Sequence, residues 1–473
     1  MEINTILQGL TLILGFYMAW NIGANDVANA MGTSVGSKAL TIGKAVFLAA
    51  ILEFSGAFLV GGTVCETIQK GIIDPTIFQN TPQIFILGMI SALLATGILL
   101  QIASYLALPI STTHAIVGAV IGFGGVVGGA GAVHWDEVRW IVLSWILSPL
   151  FSGIISYFVF SVIQRKILFA LNPIGATQKL APVFVFLCFT VVMLSFLYNG
   201  LAQFDFNFSL GVAIPCSACF GLIGALVSSR LVRRIPDSAF QMAEGMNSYQ
   251  AVSLEKALHH LQRAHLSNRS KDFDAPITSI LADVRNLNEA VKKSTPFHHS
   301  ATQYHGVEKI FVYLQILSAC LVAFAHGAND VANAIGPVAA VLATLKTQTL
   351  ASQSVIPIWL LALGGAGIVI GLATWGWRVI ETIGVKITEL TPTRGFSAEF
   401  GAAATILFAS KLGLPISTTH ALVGAVLGVG MARGIKALNL QMLKDIVISW
   451  IVTIPLCALF CIVTFYLLKF ILL

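Results

Sequence analysis

The sequence predicts an all-α integral membrane protein of about 12 transmembrane helices in two repeats of inverted topology. Three observations predict it. Charged residues make up 10% of the 473-residue chain and apolar residues 56%, against roughly 25% charged in soluble domains. The stretch Gly23-Ala24-Asn25-Asp26-Val27-Ala28-Asn29-Ala30 recurs unchanged at Gly327 to Ala334. So does Leu108-Pro109-Ile110-Ser111-Thr112-Thr113-His114-Ala115, at Leu414 to Ala421. Both motifs place carboxylate, amide and hydroxyl groups inside apolar sequence, where a bilayer penalises them. A duplicated polar site at membrane depth marks a secondary transporter built from internal repeats.

The hydrophobic segments lie near residues 4–22, 42–65, 83–107, 110–131, 140–164, 181–201, 208–232, 309–328, 354–377, 396–412, 415–432 and 445–470. About 20 apolar residues cross the hydrocarbon core as a helix. The third and fourth segments, and the tenth and eleventh, are either full spans or re-entrant hairpins at the Pro-Ile-Ser-Thr-Thr-His motifs. The glycines at 122, 124, 125, 128 and 129 fit close helix approach. The start Met1-Glu2-Ile3-Asn4 has no basic n-region and reads as the beginning of the first helix, not a signal peptide. The net charge of +6 fits cytoplasmic loops and is no argument for nucleic acid. Cys216 and Cys219 form a C-x-x-C, but no second pair or nearby histidine completes a metal site. The seven cysteines read as apolar packing.

With the N-terminus outside, loops after odd-numbered segments hold 22 of the 27 Lys and Arg. Leaving out the long loop after the seventh segment, the ratio is still 11 to five. Both termini are therefore expected outside. Seven crossings separate the two copies, an odd number, so the copies are expected upside down relative to each other. The correspondence extends to Gly56–Ile68 and Gly371–Ile383, which align without gaps and pair Glu66 with Glu381, and to Ser144-Trp145 and Ser449-Trp450. The expected organisation is a first repeat over 1–165, two linking helices over 166–232, a cytoplasmic helical loop over 233–306 and a second repeat over 307–473. In the loop, Ile277, Ile280, Leu281, Val284, Leu287 and Val291 share one helical face. Val252, Leu258 and Leu261 suggest a second short helix, and the loop's histidines read as solvated.

An ionisable residue at membrane depth is a functional candidate by default. Asn25, Asp26, Asn329 and Asp330 carry hard oxygen ligands suited to Na⁺, joined by backbone carbonyls if the helix is broken there. Asn29 and Asn333 return to the same face if the backbone is helical. Proline followed by Ser111, Thr112 and Thr113, and again by Ser417, Thr418 and Thr419, is built like a helix start. One reading is a plain N-cap. The other is an anion site made from hydroxyls, free amides and the positive dipole end. The two are compatible. The spans hold almost no basic residues, so co-transported cations must balance an anion. Glu53 and Glu399 also sit in apolar stretches but are not paired by the ungapped alignment. His114 and His420 read as hydrogen-bonded between helices, with proton coupling as the alternative. An intramembrane hydrolase would need one asymmetric Ser-His-Asp site, which duplication argues against. An anion channel gains nothing from buried carboxylates.

The paired motifs, the stretch Cys65-Glu66-Thr67-Ile68-Gln69-Lys70-Gly71-Ile72-Ile73-Asp74 and the loop between halves resemble the inorganic phosphate transporter family. The resemblance covers both repeats. It implies a symporter that imports inorganic phosphate across the plasma membrane, a bacterial inner membrane by this reading, commonly as a homodimer and with no enzymatic activity. It implies phosphate and cation roles for Asp26, Asp330, Ser111, Thr112, Thr113, Ser417, Thr418 and Thr419. It also implies functional sensitivity at Glu66 and Glu381, which are expected to join Asn25, Asn29, Asn329 and Asn333 in cation binding and coupling. The first repeat is more similar to the sodium-coupled branch. Proton-coupled carriers of metal–phosphate complexes and sulfate carriers in the same family remain the alternatives.

Overall fold

The structure, a computed structural model, describes residues 2–106, 110–200, 208–234, 254, 257–263, 265, 274–294, 298–347, 356–377, 379–380, 391–434 and 440–472. Among the described residues the chain is helical, apart from turns and a single bridge between Ile73 and Val133. The helices of the first half are α1 (Glu2–Gly36), α2 (Ile42–Val60), α3 (Gly62–Lys70), α4 (Pro82–Tyr105), α5 (Thr112–Phe123) and α6 (Trp135–Ile163). Next come α7 (Pro173–Ser195), α8 (Leu210–Arg233) and α9 (Asp274–Ser294). The second half holds α10 (His298–Thr347), α11 (Ile358–Gly371), α12 (Pro392–Lys411), α13 (Thr418–Arg433) and α14 (Leu440–Leu472).

Nine described helices are long and apolar enough to cross a membrane. The three expected segments outside that set are α5, α12 and α13. After Phe123 the fourth segment passes into a π turn over Gly124–Gly128, where the glycines give little helix propensity. α12 has span length, but Gly, Ala, Ser and Thr dilute its apolar character. α4 packs on α5 and α12 on α13, forming the paired hairpin arms. The polar starts of α5 and α13 are buried inside the protein.

The motif-bearing helices differ from expectation. α1 runs unbroken through Gly23–Ala30, and α10 through Gly327–Ala334. No backbone carbonyls are freed there, so the side chains must act as the ligands. The glycines serve another purpose. A Cβ on Gly23 would collide with the Ile368 carbonyl of α11, and one on Gly327 with the Glu53 carbonyl of α2. Gly371 and Gly56 face the Trp20 and Phe324 carbonyls in the same tight way. Small residues let helix backbones touch where lipid gives no hydrophobic drive to associate.

The core falls into two apolar clusters. One joins Leu7–Ile22 of α1 to Val331–Val341 of α10; the other joins Val27–Met31 of α1 to Val307–Ala328 of α10. The first half of each motif helix thus packs beside the second half of the other, so the two run antiparallel. In α9, Ile277, Leu281 and Val284 are half-buried and Ile280 and Leu287 exposed. Leu258 and Leu261 lie in a helical stretch over 257–263, and Val252 lies outside the described residues.

The backbone contact at Gly327 leaves no room for a branched side chain. Gly327→Val is expected to remove most folded protein from a size-exclusion profile in detergent, since overpacking against backbone costs about 3 kcal/mol or more. Gly9→Val, a position with nothing within 4 Å, is expected to leave the profile unchanged.

Candidate functional site

α1 and α10 bring Asp26 and Asp330 into one enclosed centre, 1% and 0% exposed. The starts of α5 and α13 close over it. Ser111 accepts the His114 amide at 3.2 Å, and Ser417 accepts the His420 amide at 3.2 Å. The N-cap reading therefore holds for both serines. The threonines that follow turn to the aspartates. Thr418 donates to Asp330 Oδ2 at 2.9 Å, and Thr112 bonds Asp26.

The asparagines cross between halves. Asn29 donates to Thr419 Oγ1 at 2.8 Å and to Asp26 Oδ1 at 3.2 Å. Asn333 donates to Thr113 Oγ1 at 3.1 Å and to Thr112 Oγ1 at 3.3 Å. Asn25 and Asn329 instead tie their helices to the first hairpin arms, bonding Ser104 and Ser410, each at 3.0 Å. The capping serines, the threonines on the aspartates and the Asn25/Asn329 ties thus repeat between halves, while Asn29 bonds its own aspartate and Asn333 does not. Leu108 and Pro109 of the first hydroxyl motif lie outside the described residues.

Two groups break that symmetry. His326 lies within 3.0 Å of Asp330 Oδ2 through Nε2, and within 3.2 Å of Glu53 Oε1 through Nδ1. Their counterparts in the other repeat are Ile22, one residue before Gly23, and Ile368, three before Gly371. The second group is Glu399 on α12, wholly buried. Its Oε1 accepts Thr33 at 2.5 Å, Ser34 at 2.7 Å and Gln315 at 3.3 Å, and its Oε2 accepts Ser318 at 2.5 Å. Four donors around one carboxylate solvate a charge in the absence of water. A histidine four residues before a buried aspartate, on the same helical face, was the available sign of the first group; comparison of the two repeats passes over it.

Glu66 is exposed on α3, so the structure does not bring it to the aspartates; Glu381 lies outside the described residues. His114 and His420 meet edge to face, with centroids 4.3 Å apart, and the His114 ring lies tilted against Trp145 at 3.9 Å. His420 Nδ1 lies 3.4 Å from the Trp145 carbonyl, and Trp145 Nε1 donates to the Pro415 carbonyl at 2.9 Å. They pack the hairpin arms together.

Asp26, His326 and Asp330 present ligand atoms within 4.8 Å of one another. Asp330 Oδ1, Asn329 Oδ1 and Asn333 Oδ1 are buried and accept no hydrogen bond. Buried oxygens without donors suit a hard cation. The threonine hydroxyls beside them have lone pairs for a cation, while their single protons go to Asp26 from Thr112, to the Ile416 carbonyl from Thr113 at 3.0 Å and to Asp330 from Thr418. Among the side chains whose burial is described, no Lys or Arg is buried.

A family model described as the phosphate transporter family matches residues 22–461. The chain is 47% identical over 95% of its length to the chloroplastic inorganic phosphate transporter 2-1 of Arabidopsis thaliana, covering 70% of that protein. It is 44% identical to a putative phosphate permease of Chlamydia pneumoniae, covering 97% of each chain. Among solved structures, one titled the sodium-dependent phosphate transporter superposes with a TM-score of 0.81 at 36% identity, covering 98% of this chain and 100% of that one.

Proposed function

The chain belongs to the phosphate transporter family, and is thus a multi-pass membrane transporter and not an enzyme; we propose that it imports inorganic phosphate across the plasma membrane by Na⁺ symport. One observation carries the coupling. Asp26, Asp330, Glu53 and Glu399 are all buried, no Lys or Arg is buried among the side chains whose burial is described, and His326 is the basic side chain facing Asp330. An anion entering such a centre must bring cations with it, because an uncompensated buried charge costs several kcal/mol or more. The structural likeness to a sodium-dependent phosphate transporter supports this reading.

In this mechanism phosphate oxygens accept from Thr419, and from Thr112, Thr113 and Thr418 once these turn their protons from Asp26, the Ile416 carbonyl and Asp330, backed by the N-termini of α5 and α13. Ser111 and Ser417 fix those N-termini. Na⁺ is held by Asp26 with Asn29, and by Asp330 with Asn329 and Asn333. The antiparallel packing of α1 on α10 supports repeats of opposite orientation, with the site where they meet. The divisions 1–165, 166–232, 233–306 and 307–473, both termini outside and a homodimer complete the proposal. Phosphate uptake into proteoliposomes under an imposed Na⁺ gradient tests it. Uptake equal in Na⁺ and choline media defeats the coupling.

The same site discriminates among oxyanions. Phosphate at neutral pH carries a proton and can donate to an ionised aspartate; sulfate cannot. Facing sulfate with an unpaired buried carboxylate costs about 3 kcal/mol, roughly two decades in affinity. Arsenate is expected to compete with labelled phosphate, and sulfate to compete about 100-fold more weakly. Equal competition by sulfate places the chain with sulfate carriers.

A further inference from the structure

The two hairpins are anchored differently at their outer ends. α4 and α12 both begin with a Thr N-cap followed by Pro: Thr81-Pro82 and Thr391-Pro392. Neither threonine caps its own helix through its side chain. On α12 the cap comes from another helix. Glu308 of α10 takes the Thr393 amide on Oε2 at 2.9 Å and the Thr393 hydroxyl on Oε1 at 2.8 Å. This satisfies a first-turn amide with a carboxylate, the charge that the helix dipole favours there. Further along, Gly395 lies so close to α10 that a Cβ would collide with Gln315, and Glu399 bonds Ser318 and Gln315.

The counterpart of Glu308, displaced as Gly327 is from Gly23, is Asn4. Counted back from Ser104 and Ser410, α4 begins about one turn earlier than α12, so the first-turn place that Thr393 holds after its Thr-Pro pair is taken by Gln83. No clasp forms there. Asn4, Asn80, Thr81, Pro82 and Gln83 instead line a cavity of about 480 Å³ that also reaches Thr344. α12 also lies along α10 more extensively than α4 lies along α1. One end of the protein is therefore fastened where the equivalent place at the other end is open.

We propose that the Glu308–Thr393 contact and the Asn4–Gln83 cavity are the two ends of one alternating clasp, and that the Glu/Asn difference biases the carrier toward the state closed at the Glu308 end. This rests on the carrier reading above. Inverted repeats change access by exchanging the conformations of their halves. What is closed in one half is then open in the other, and closure at the Asn4 end lacks the carboxylate. The unequal ends set a resting state without any ligand.

Hydrogen–deuterium exchange on the full chain in nanodiscs tests this with Glu308→Gln and Asn4→Glu. Glu308→Gln is expected to speed exchange over residues 391–397 about tenfold, the loss of a charge-assisted hydrogen bond, and to slow it over 81–87. Asn4→Glu is expected to slow 81–87 and to speed 391–397. Local fraying moves only the end that carries the substitution, and that result in either variant overturns the proposal. Should Glu308→Gln fail to fold, Asn4→Glu decides by the same criterion. Phosphate uptake by the unmodified protein is measured separately, so a failed carrier reading and a failed clasp are told apart.

Discussion

Asp330→Asn is expected to reduce Na⁺-driven phosphate uptake by about 100-fold or more, and Asp26→Asn by about tenfold to 100-fold. The asymmetry follows from what each carboxylate holds. Asp26 accepts Asn29 and bonds Thr112. Asp330 accepts Thr418 and also faces His326, which in turn faces Glu53. An amide at 330 keeps the shape but removes a charge from a Na⁺ ligand and from the histidine together. Hydrogen bonds to charged groups contribute about 1.5–3 kcal/mol each, so two lost partners account for two decades or more. The half-saturating Na⁺ concentration is expected to rise in both variants, because the lost group binds the cation. Size-exclusion chromatography keeps a folding defect separate from a coupling defect. Normal uptake with unchanged Na⁺ dependence in either folded variant removes that carboxylate from the role.

The duplicated parts of the site were legible in the sequence for a physical reason. Asp26 with Asp330, and Thr112 with Thr418, perform the same contact in each half, so each half retains the same letters. Legibility stopped where the halves differ. His326 and Glu53 face one another across α10 and α2, while Ile22 and Ile368 hold the equivalent places. A comparison of repeats therefore ranks them below Glu66, which aligns with another glutamate but is exposed. Glu399 has the same history. Its partners Thr33, Ser34, Gln315 and Ser318 come from two helices more than 250 residues apart in sequence, and nothing local in the chain shows them converging.

Of the broken and the helical backbone considered at the GANDVANA motifs, the helical one holds, for a related reason. A glycine followed by polar residues reads as a helix end when judged locally. Gly23 and Gly327 instead mark where another helix backbone presses against a continuous one. The short helices α5 and α13 were foreseen as either spans or hairpin arms, and hydropathy alone could not choose. The buried starts at Ser111 and Ser417 require the surrounding helices to be in place.

The second large effect concerns membrane potential. The two aspartates lie at the same place in the repeated motif, each bonded to the threonine that follows a capping serine, so one Na⁺ at each is the simplest loading. Two Na⁺ with monovalent dihydrogen phosphate carry one net positive charge inward. An elementary charge gains about 2.3 kcal/mol per 100 mV, which is roughly 50-fold in accumulation at about 1.4 kcal/mol per decade. Divalent phosphate with two Na⁺ is electroneutral and indifferent to potential. At an external pH near 6 the monovalent species dominates. An inside-negative potential, set by valinomycin and a potassium gradient at fixed Na⁺ gradient, is then expected to raise the phosphate level reached in proteoliposomes by roughly 50-fold per 100 mV. The stimulation should fade as external pH rises and the divalent species takes over. A plateau indifferent to potential at pH 6 defeats the two-to-one loading. Accumulation driven by a pH gradient without Na⁺ assigns the coupling to protons, and His326, held between Glu53 and Asp330, is the group through which they would pass.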